Sequence, residues 1–538
     1  MQNNQPPIVL AILDGWGMSA AWGGNAISMS GPNNMNTLWR DYPHAILQAF
    51  RQAAGNFKMI GNSEIGHSSI GAGKIVFQDL ERISQSIADK SFFQNQVLVG
   101  ACRNALNYNA SLHLLGLVSD GGIHSHINHL YALLRLAKFY NLPKVYIHVI
   151  TDGLDTDSNS AIEFISDLEK KMTEIGIGQI ATVTGRHFAM NRDDHWENIS
   201  KTVSALVQGV GNYANSAIDC VKQAYSSGLT DQFIPPTVIK SDVGPIATIK
   251  DNDSVICFNY RPDRARELSL ALLGMHNSGL KHRPPNNLNF AAFTTYFLPP
   301  SIQSKIKVAF PGETIEKTLG KIISDSGLKQ FRIAESEKYP HISYFFNCGQ
   351  EEPYANEDRV ILDSAAVKSF AEKPQMEAPQ IANKLIKAIK SGKYNFLLVN
   401  FANVDSVGHS GDMVATTQAV SIIDALIMDL AEAVLSVDGA LILTADHGNA
   451  EQMIKVTSGR DRESFHTLSP VPFILVKKEF KGRNKQSLSS GEILAQMVSS
   501  KYSLADIAPT ILDLMGISKP PSMTGESLLK SINGDVHI

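Results

Sequence analysis

Short apolar runs that end abruptly at polar, glycine-containing residues recur along the chain. They read IVLAIL, LHLLGLV, KVYIHVI, QIATV, SVICF, FLLVNF and LILTA, and the first three are followed by DGWG, SDGG and TDG. Unbroken apolar runs that are bounded by turns and separated by helical segments are typical of parallel strands buried on both faces. The pattern predicts an α/β protein with mainly parallel sheets covered by helices. Ligands are then expected beyond the carboxyl ends of the strands.

Helical spacing of apolar residues separates several of these runs. It is found at residues 80–90, 161–173 and 413–436. A further helix is expected from Ser503, which can cap it, to about Leu514, with Gly516 just past its end. Pro509 lies inside this last pattern and argues against an uninterrupted helix there.

Two segments have the composition of linkers, residues 74–79 and the stretch VAFPGET at 308–314. Cutting there separates a middle domain, residues 79–312, from a discontinuous domain that joins 1–78 to 313–538. A chain of 538 residues has room for more than one domain. Its 43% of hydrophobic residues is enough for sizeable cores and excludes wholesale disorder.

The charge of the chain and the composition of its N-terminal segment argue against a nucleic-acid-binding, membrane-bound or secreted protein. The 48 basic and 52 acidic residues give a net charge of −4 without long like-charge blocks, so neither a nucleic-acid nor a membrane partner is expected. No basic residue precedes the short apolar run at the N-terminus, and a signal peptide is not predicted. The four cysteines form no C-x-x-C pair and are expected to be reduced, as in a cytoplasmic protein.

Carboxylates and imidazoles follow several predicted strands of the discontinuous domain. These residues are Asp14, Asp405, His409, Asp446, His447 and His466. Such ligands suit Zn²⁺, Mn²⁺ or a similar ion, and the four-residue spacing of Asp405 and His409 lets both reach one point across a helical turn. One such Asp is more often a turn residue, and one such His is more often structural. All six together indicate a metal site, and two ions are plausible because six ligands exceed one tetrahedral set.

Ser63 lies in GNSEIGH at residues 61–67 and has two interpretations. It can be an ordinary helix N-cap. It can also be a nucleophile at a helix start, where backbone amides stabilise phosphate and a metal lowers the pKa of the hydroxyl. Lys338, in ESEKYPH near the second linker, is a cation without an evident role.

Arginines follow apolar runs of the middle domain. They are Arg186, Arg192, Arg261 and Arg264, in TGRHFAMNRD and NYRPDRARE. Four guanidinium groups at strand ends suit carboxylate and phosphate held by paired hydrogen bonds. The alternative is a set of surface ion pairs with the adjacent Asp193, Asp194 and Asp263.

Other polar residues of the middle domain have open roles. His124, in SDGGIHSH, can carry a proton or bind an anion, or can form a second metal site with His126 and His129, although no carboxylate completes that set. Asp155 follows another strand and is either a general base or a turn residue.

Eight sequence blocks, spread over both domains in order, carry a family resemblance. They are LDGWG at 13–17, GNSEIGH at 61–67, SDGGIHSH at 119–126, RPDRAREL at 261–268, EKYPHISYFFNCG at 337–349, NVDSVGH at 403–409, TADHGNAE at 444–451 and HT at 466–467. The chain resembles the cofactor-independent (2,3-bisphosphoglycerate-independent) phosphoglycerate mutases of the alkaline phosphatase superfamily. The resemblance implies a phosphatase-like, metal-binding domain, residues 1–78 and 313–538, with an inserted substrate-binding transferase domain at 79–312.

The resemblance also implies the activity and the metal ligands. Such an enzyme interconverts 3-phosphoglycerate and 2-phosphoglycerate in glycolysis and gluconeogenesis through a phosphoserine, here Ser63, and closes around the glycerate while it reorients. One metal, typically Mn²⁺, would be held by Asp405, His409 and His466. The second would be held by Asp14, Asp446, His447 and the Ser63 oxygen.

The remaining implied roles concern the substrate, a small phosphoglycerate bound by what we expect to be a monomer. The implied substrate ligands are His124, Asp155, Arg186, Arg192, Arg261, Arg264 and Lys338. Asp155 would be the acid and base, and Lys338 would stabilise the transferring phosphoryl group.

Two departures from the family pattern bear on the substrate. Leu154 stands in TDGLD where the family has an arginine, and residues 55–60, including Lys58, differ from the usual form. The alternatives are therefore a metal-dependent phosphatase or mutase that acts on a related phosphorylated acid, and a non-catalytic metal- or ligand-binding relative.

Overall fold

The computed structural model describes residues 5–49, 62–191, 195–274, 283–454, 465–483, 497 and 499–529. The chain divides into two compact units. The first unit comprises residues 1–76 and 314–538, and the second unit comprises residues 77–313. Both divisions fall inside the segments 74–79 and 308–314 that have linker composition.

The structure has sixteen strands within the described ranges, and seven of them contain the apolar runs. In chain order they are β1 (Ile8–Leu13), β2 (His44–Leu47), β3 (Leu112–Leu117), β4 (Val145–Thr151), β5 (Gln179–Gly185), β6 (Asn212–Ala214), β7 (Thr237–Ser241), β8 (Gly244–Pro245), β9 (Ser254–Cys257), β10 (Asn289–Ala292), β11 (Ile306–Val308), β12 (Gln330–Glu335), β13 (Glu357–Leu362), β14 (Phe396–Phe401), β15 (Ala440–Thr444) and β16 (Val471–Val476). All seven apolar runs named above lie in strands, as predicted.

Helices separate most of the strands. Those of the first unit are α1 (Ala26–Ser30), α2 (Asn33–Asp41) and α3 (Ser63–Ala72). Those of the second unit are α4 (Asp79–Ala88), α5 (Gln96–Asn107), α6 (Ile127–Phe139), α7 (Ala161–Ile175), α8 (Arg186–Ala189), α9 (Trp196–Val203), α10 (Ala217–Ser226), α11 (Arg266–Leu272) and α12 (Pro300–Gln303). The first unit continues with α13 (Leu319–Asp325), α14 (Ala378–Lys390), α15 (Asn403–Gly408), α16 (Met413–Leu435) and α17 (Ile507–Leu514).

The predicted helices are confirmed, with one refinement at the last of them. Ser503 does cap, but a 3₁₀ turn at Leu504–Asp506 precedes α17. Pro509 is the third residue of α17, within the first turn, where its missing N–H has no intrahelical partner to lose. The helix therefore tolerates this proline without a break.

The first unit contains one seven-stranded sheet, in the order β13-β12-β14-β1-β15-β16-β2. The strands from β13 to β15 are parallel, whereas β16 and β2 add antiparallel pairs at one edge. Every residue of β1, β14 and β15 is buried, as expected for strands covered by helices on both faces.

The second unit contains its own sheet, in the order β11-β10-β9-β3-β4-β5-β7-β6, with β8 paired to β7. Its pairs from β11 to β5 are parallel, and β5 meets β7 in antiparallel fashion. The predicted α/β class with mainly parallel, helix-covered sheets is therefore confirmed in each unit. No helix within the described ranges is both long enough and apolar enough to cross a lipid bilayer.

Candidate active site

Four neighbouring parallel strands of the first unit end at one edge of the sheet, and each is followed by a charged residue. In the sheet order β12, β14, β1, β15 these residues are Lys338, Asp405, Asp14 and Asp446. The Lys338 ammonium lies 2.7 Å from Asp405 Oδ2 and 3.1 Å from Asp14 Oδ1. All four side chains are buried. Strand topology thus gathers residues that are hundreds of positions apart in sequence.

Two glycines permit this close convergence. Gly15 has a φ of +77°, and a Cβ there would lie 2.8 Å from the Cα of Asp405. A Cβ at Gly66 in α3 would lie 2.7 Å from the Cβ of Asp446. Both approaches are closer than real Cβ contacts. The turn after β1 can therefore approach Asp405, and α3 can approach Asp446, only with glycine at these positions.

Ser63 is the first residue of α3, but it is not the cap. Asn62 caps the helix by accepting a hydrogen bond from the Ile65 N–H at 2.9 Å, so the N-cap interpretation of Ser63 is wrong. The Ser63 hydroxyl is buried and points into the charged cluster. Its oxygen is surrounded by His447 Nε2 at 2.8 Å, Lys338 Nζ at 3.1 Å and Asp14 Oδ1 at 3.3 Å.

A second group of ligand atoms lies beside Asp405. His409 follows α15 four residues after Asp405, and the Nε2 atoms of His409 and His466 each lie 3.3 Å from Asp405 Oδ1. The two Nε2 atoms are 3.1 Å apart. Two imidazole nitrogens and one carboxylate oxygen that converge in this way form a set that can hold a metal ion.

The electrostatics of the cluster favour a cation. Burial raises the pKa of Asp14, and repulsion from Asp446 raises it further. Burial acts in the same direction on Asp405, but Lys338 and contacts with His409 and His466 hold the Asp405 pKa well below its ordinary value. Burial disfavours the Lys338 charge, yet the three carboxylates raise its pKa well above the usual range.

The donor set fits a metal because its negative charge is not balanced. Three buried carboxylates share one ammonium, and buried charges are stable only when they are paired or coordinate metals. Asp446 Oδ2 is buried and faces only histidine nitrogens, those of His67 at 3.3 Å and His447 at 3.5 Å, so no fixed cation balances its charge. The groups able to hold a metal among the described residues all lie in this cluster.

The second unit holds a separate group, which we call the arginine cluster: Arg186, Asp152, Asp155 and His124. One guanidinium nitrogen of the buried Arg186 lies 2.6 Å from Asp152 Oδ1 and 2.6 Å from Asp155 Oδ2. The His124 Nε2 lies 3.9 Å from Asp155, and burial together with the Arg186 charge lowers the His124 pKa to about 4. His124 is therefore a neutral imidazole at neutral pH.

The other arginines that were predicted to bind anions in the second unit have different surroundings from one another. Arg261 is exposed and pairs with Asp263 at 3.2 Å. This is the surface ion pair that was the alternative to anion binding. Arg264 donates to the Met190 carbonyl at 3.2 Å. Arg192 lies outside the described residues, as does Lys58 of the first unit. Leu154, which stands where the family has arginine, is 57% exposed.

The three histidines of the SDGGIHSH region do not form the alternative metal site. His126 caps α6 by accepting from the Asn128 N–H at 3.2 Å, and His129 Nε2 lies 2.9 Å from the Ser84 hydroxyl. The groups able to hold a metal, within the part of the chain that is described, include neither of them, nor His124.

Comparison with known proteins decides the family. Residues 83–297 match the family described as BPG-independent PGAM N-terminus. A 2,3-bisphosphoglycerate-independent phosphoglycerate mutase of Clostridium acetobutylicum is 44% identical over 525 residues, which cover 97% of this chain and 99% of that protein. One of Clostridium perfringens is 43% identical over 527 residues, covering 98% and 99%. The chain belongs to the 2,3-bisphosphoglycerate-independent phosphoglycerate mutase family.

A solved phosphoglycerate mutase structure is similar to this chain over nearly its whole length. Leishmania mexicana phosphoglycerate mutase, crystallised at low cobalt concentration, is 28% identical and aligns with a TM-score of 0.63 over 97% of each chain. The mutase relationship therefore extends over the whole chain in both sequence and structure.

Several polar residues that hold the ligands of this mutase-family site are not predicted from the sequence. The Glu451 carboxylate accepts hydrogen bonds from the Asn449 N–H at 2.9 Å and from the Thr467 hydroxyl, next to His466. The Asn449 amide donates to Asp405 Oδ1 at 2.8 Å. Asn449, Glu451 and Thr467 all lie in the quoted blocks TADHGNAE and HT, so their proximity to predicted ligands was the available signal.

A buried arginine in β12, the strand that precedes Lys338, is also not predicted. Arg332 in β12 is fully buried and pairs with Glu357 at 3.1 Å. It donates to the Ile342 carbonyl at 2.8 Å and to Asn347 Oδ1 at 2.9 Å, which fixes the segment that follows Lys338. A positive charge in the middle of a strand, between Phe331 and Ile333, was the available signal.

Proposed function

We propose that this protein is an isomerase that interconverts 3-phosphoglycerate and 2-phosphoglycerate, in glycolysis and gluconeogenesis, through a phosphoserine at Ser63. One observation carries the proposal. In a chain of this mutase family, Asn62 caps α3, so the buried Ser63 hydroxyl is left within 3.3 Å of Lys338, His447 and Asp14. A hydroxyl held at a helix N-terminus beside an ammonium is suited to receive a phosphoryl group.

The metal centre is proposed to contain two divalent ions, Mn²⁺ in the first instance. Asp405, His409 and His466 would hold one of them. Asp14, Asp446, His447 and the Ser63 oxygen would hold the other. Bound there, such ions lower the pKa of the serine hydroxyl and neutralise charge on the phosphoryl oxygens.

The residues of the first unit then have distinct tasks in phosphoryl transfer. Ser63 Oγ forms the bond to phosphorus as the bond from phosphorus to the substrate oxygen breaks, and the reverse step delivers the phosphoryl group to the other hydroxyl. Lys338 stays charged, because the surrounding carboxylates raise its pKa, and it is proposed to stabilise the transferring group. The N-terminal amides of α3 contribute in the same direction.

The second unit is proposed to bind the glycerate. His124, Arg186, Arg192, Arg261 and Arg264 would hold its carboxylate and phosphate. Asp155 would move the proton between the two hydroxyl oxygens, and its contact with Arg186 orients the carboxylate. The protein is further proposed to act as a monomer in the cytoplasm.

The test is an enolase-coupled assay with 3-phosphoglycerate, with and without Mn²⁺ and without added bisphosphoglycerate. We expect 2-phosphoglycerate to form only when metal is present, with no release of inorganic phosphate. Release of phosphate without isomerisation would contradict the mutase proposal and favour a phosphatase, an alternative that the exposed Leu154 motivates. Neither activity in the metal-loaded protein would favour a non-catalytic relative.

A further inference from the structure

His67 lies on the same face of α3 as Ser63, four residues later, and is completely buried. Its Nδ1 is 2.8 Å from the Ser63 carbonyl oxygen and 3.3 Å from Asp446 Oδ2. Carbonyl and carboxylate oxygens only accept hydrogen bonds, so Nδ1 carries the proton and donates it.

Asn400 engages the opposite side of the same ring. It is a fully buried amide in the apolar strand β14, and its Nδ2 lies 2.8 Å from Asp14 Oδ2 and 3.0 Å from His67 Nε2. Because the Asp14 carboxylate is an acceptor, the amide nitrogen must face it. The second N–H of that nitrogen is then directed to His67 Nε2, which must be the unprotonated, accepting nitrogen.

Both ring nitrogens of His67 are therefore occupied in one continuous chain of hydrogen bonds. The chain runs from the Asp14 carboxylate through Asn400 and the Nδ1–H tautomer of His67 to the Ser63 carbonyl. This occupancy argues against His67 as a metal ligand, although His67 lies close enough to Asp14 and Asp446 to be grouped with them. Neither ring nitrogen has a lone pair that is both available and directed at the cluster.

We propose that His67 and Asn400 are positioning residues that lock the first turn of α3, and with it the Ser63 hydroxyl, onto Asp14 at the end of β1. This inference rests on the proposed function of Ser63 as the phosphoryl acceptor. Partners behind metal ligands typically change metal affinity by about 10- to 100-fold. Displacement of a reacting group by about 1 Å typically costs about 100-fold in rate.

The test compares four variants of the full-length protein. His67→Leu and Asn400→Leu remove each half of the chain of hydrogen bonds. His67→Asn retains a side-chain N–H at the Nδ1 position, so it should keep the bond to the Ser63 carbonyl. His44→Asn is the matched control, since His44 also lies in the first unit and approaches a backbone carbonyl through Nδ1, that of Tyr42 at 3.2 Å.

Two readouts distinguish positioning from general stability. In titrations with Mn²⁺ alone, we expect both leucine variants to bind about 10- to 100-fold more weakly than wild type. With 3-phosphoglycerate we expect kcat to fall about 100-fold while KM stays within about 3-fold. His67→Asn should recover most of the loss at His67, and His44→Asn should match wild type in both measurements.

Several results would overturn the proposal. The proposal is wrong if the leucine variants bind Mn²⁺ like wild type and keep their kcat. It is also wrong if these variants raise KM at unchanged kcat. His67→Asn behaving as badly as His67→Leu, at equal thermal stability, would also contradict it. A wild-type protein that binds Mn²⁺ but does not isomerise 3-phosphoglycerate would refute the proposed function alone, and the Mn²⁺ titrations would still decide the positioning role.

Discussion

The charged groups of the two units are balanced in opposite ways. In the first unit, Asp14, Asp405 and Asp446 are buried around a single ammonium, that of Lys338. In the second unit, by contrast, the buried guanidinium of Arg186 already has carboxylates of its own. Both groups follow the carboxyl ends of parallel strands, so topology alone does not distinguish them.

The two groups are therefore suited to different ligands. An excess of buried negative charge is stable only with added cations, so the first cluster is completed by metal. A guanidinium that is already paired must exchange a carboxylate for an incoming anion. In the second unit, substrate binding at Arg186 would therefore weaken its hold on Asp155, the proposed acid and base.

The largest expected effect comes from removing the nucleophile of the first cluster. Ser63→Ala deletes the phosphoryl acceptor but no charge, so isomerisation should fall by at least about 10³-fold while metal content stays nearly intact. The coupled assay and elemental analysis of the purified variant measure the two quantities. A variant with full activity would refute the assignment of Ser63.

Asp14→Asn tests whether the first cluster carries an excess of buried negative charge. The folded protein raises the pKa of Asp14, which means that its ionised form is disfavoured by burial and by Asp446. The metal-free variant should therefore melt about 2–4 °C higher than wild type, while activity falls at least about 100-fold.

Asp446→Asn is the matched control for that substitution. Burial acts to raise the Asp446 pKa, but His447, His67 and Lys338 hold it below its ordinary value. The ionised form is thus favoured in the fold, and its loss should lower activity without raising the melting temperature. An Asp14→Asn variant that melts below wild type would contradict the account.

The pH dependence of stability should be steep in the second unit. Burial lowers the pKa of His124 to about 4 and that of His129 to about 3, from an ordinary 6.5. Between pH 6.5 and 4 the unfolded chain therefore binds more protons than the folded one, so stability is full above pH 6.5 and is lost as pH falls. Each histidine should cost about 2 kcal/mol at pH 5.

Urea unfolding at pH 7 and pH 5 measures this loss. In His129→Leu, the contribution of His129 should disappear and the difference between the two pH values should shrink. An unchanged difference would show that His129 is not held neutral by the fold.

The smallest expected effect is a gain of function in the arginine cluster. Leu154 is 57% exposed and follows Asp152, so an arginine fits there without displacing the core. One added charge-assisted hydrogen bond is worth up to about 2 kcal/mol, and Leu154→Arg should lower KM for 3-phosphoglycerate by about 10-fold. An unchanged KM would mean that another group already performs this task.

Much of the first cluster was predictable because strand-end residues follow directly from apolar runs that stop at polar ones. Asp14, Asp405 and Asp446 needed only that pattern. The cap assignment of Ser63 failed because Asn62, one residue earlier, competes for the same position and wins. The pattern of strand ends could not indicate which of two adjacent polar residues would cap the helix.

The supporting residues were harder to predict. Asn400 is the one polar side chain of β14, and Arg332 lies between two apolar residues of β12. Only the sheet order shows which neighbour each one meets. The sequence also did not indicate which carboxylate would pair with Arg186 in the second unit. Arg186 pairs with Asp152, which precedes it by 34 residues and had been given no role.

In the proposed mechanism, Ser63 carries the phosphoryl group between the two positions of the glycerate. Rapid quenching of the metal-loaded enzyme during turnover of 3-phosphoglycerate, followed by mass spectrometry of the peptide that contains Ser63, tests it most directly. We expect a phosphoserine at Ser63 that appears and decays at rates compatible with turnover. Continued isomerisation with Ser63 unmodified, or with the phosphate on another residue, would contradict it.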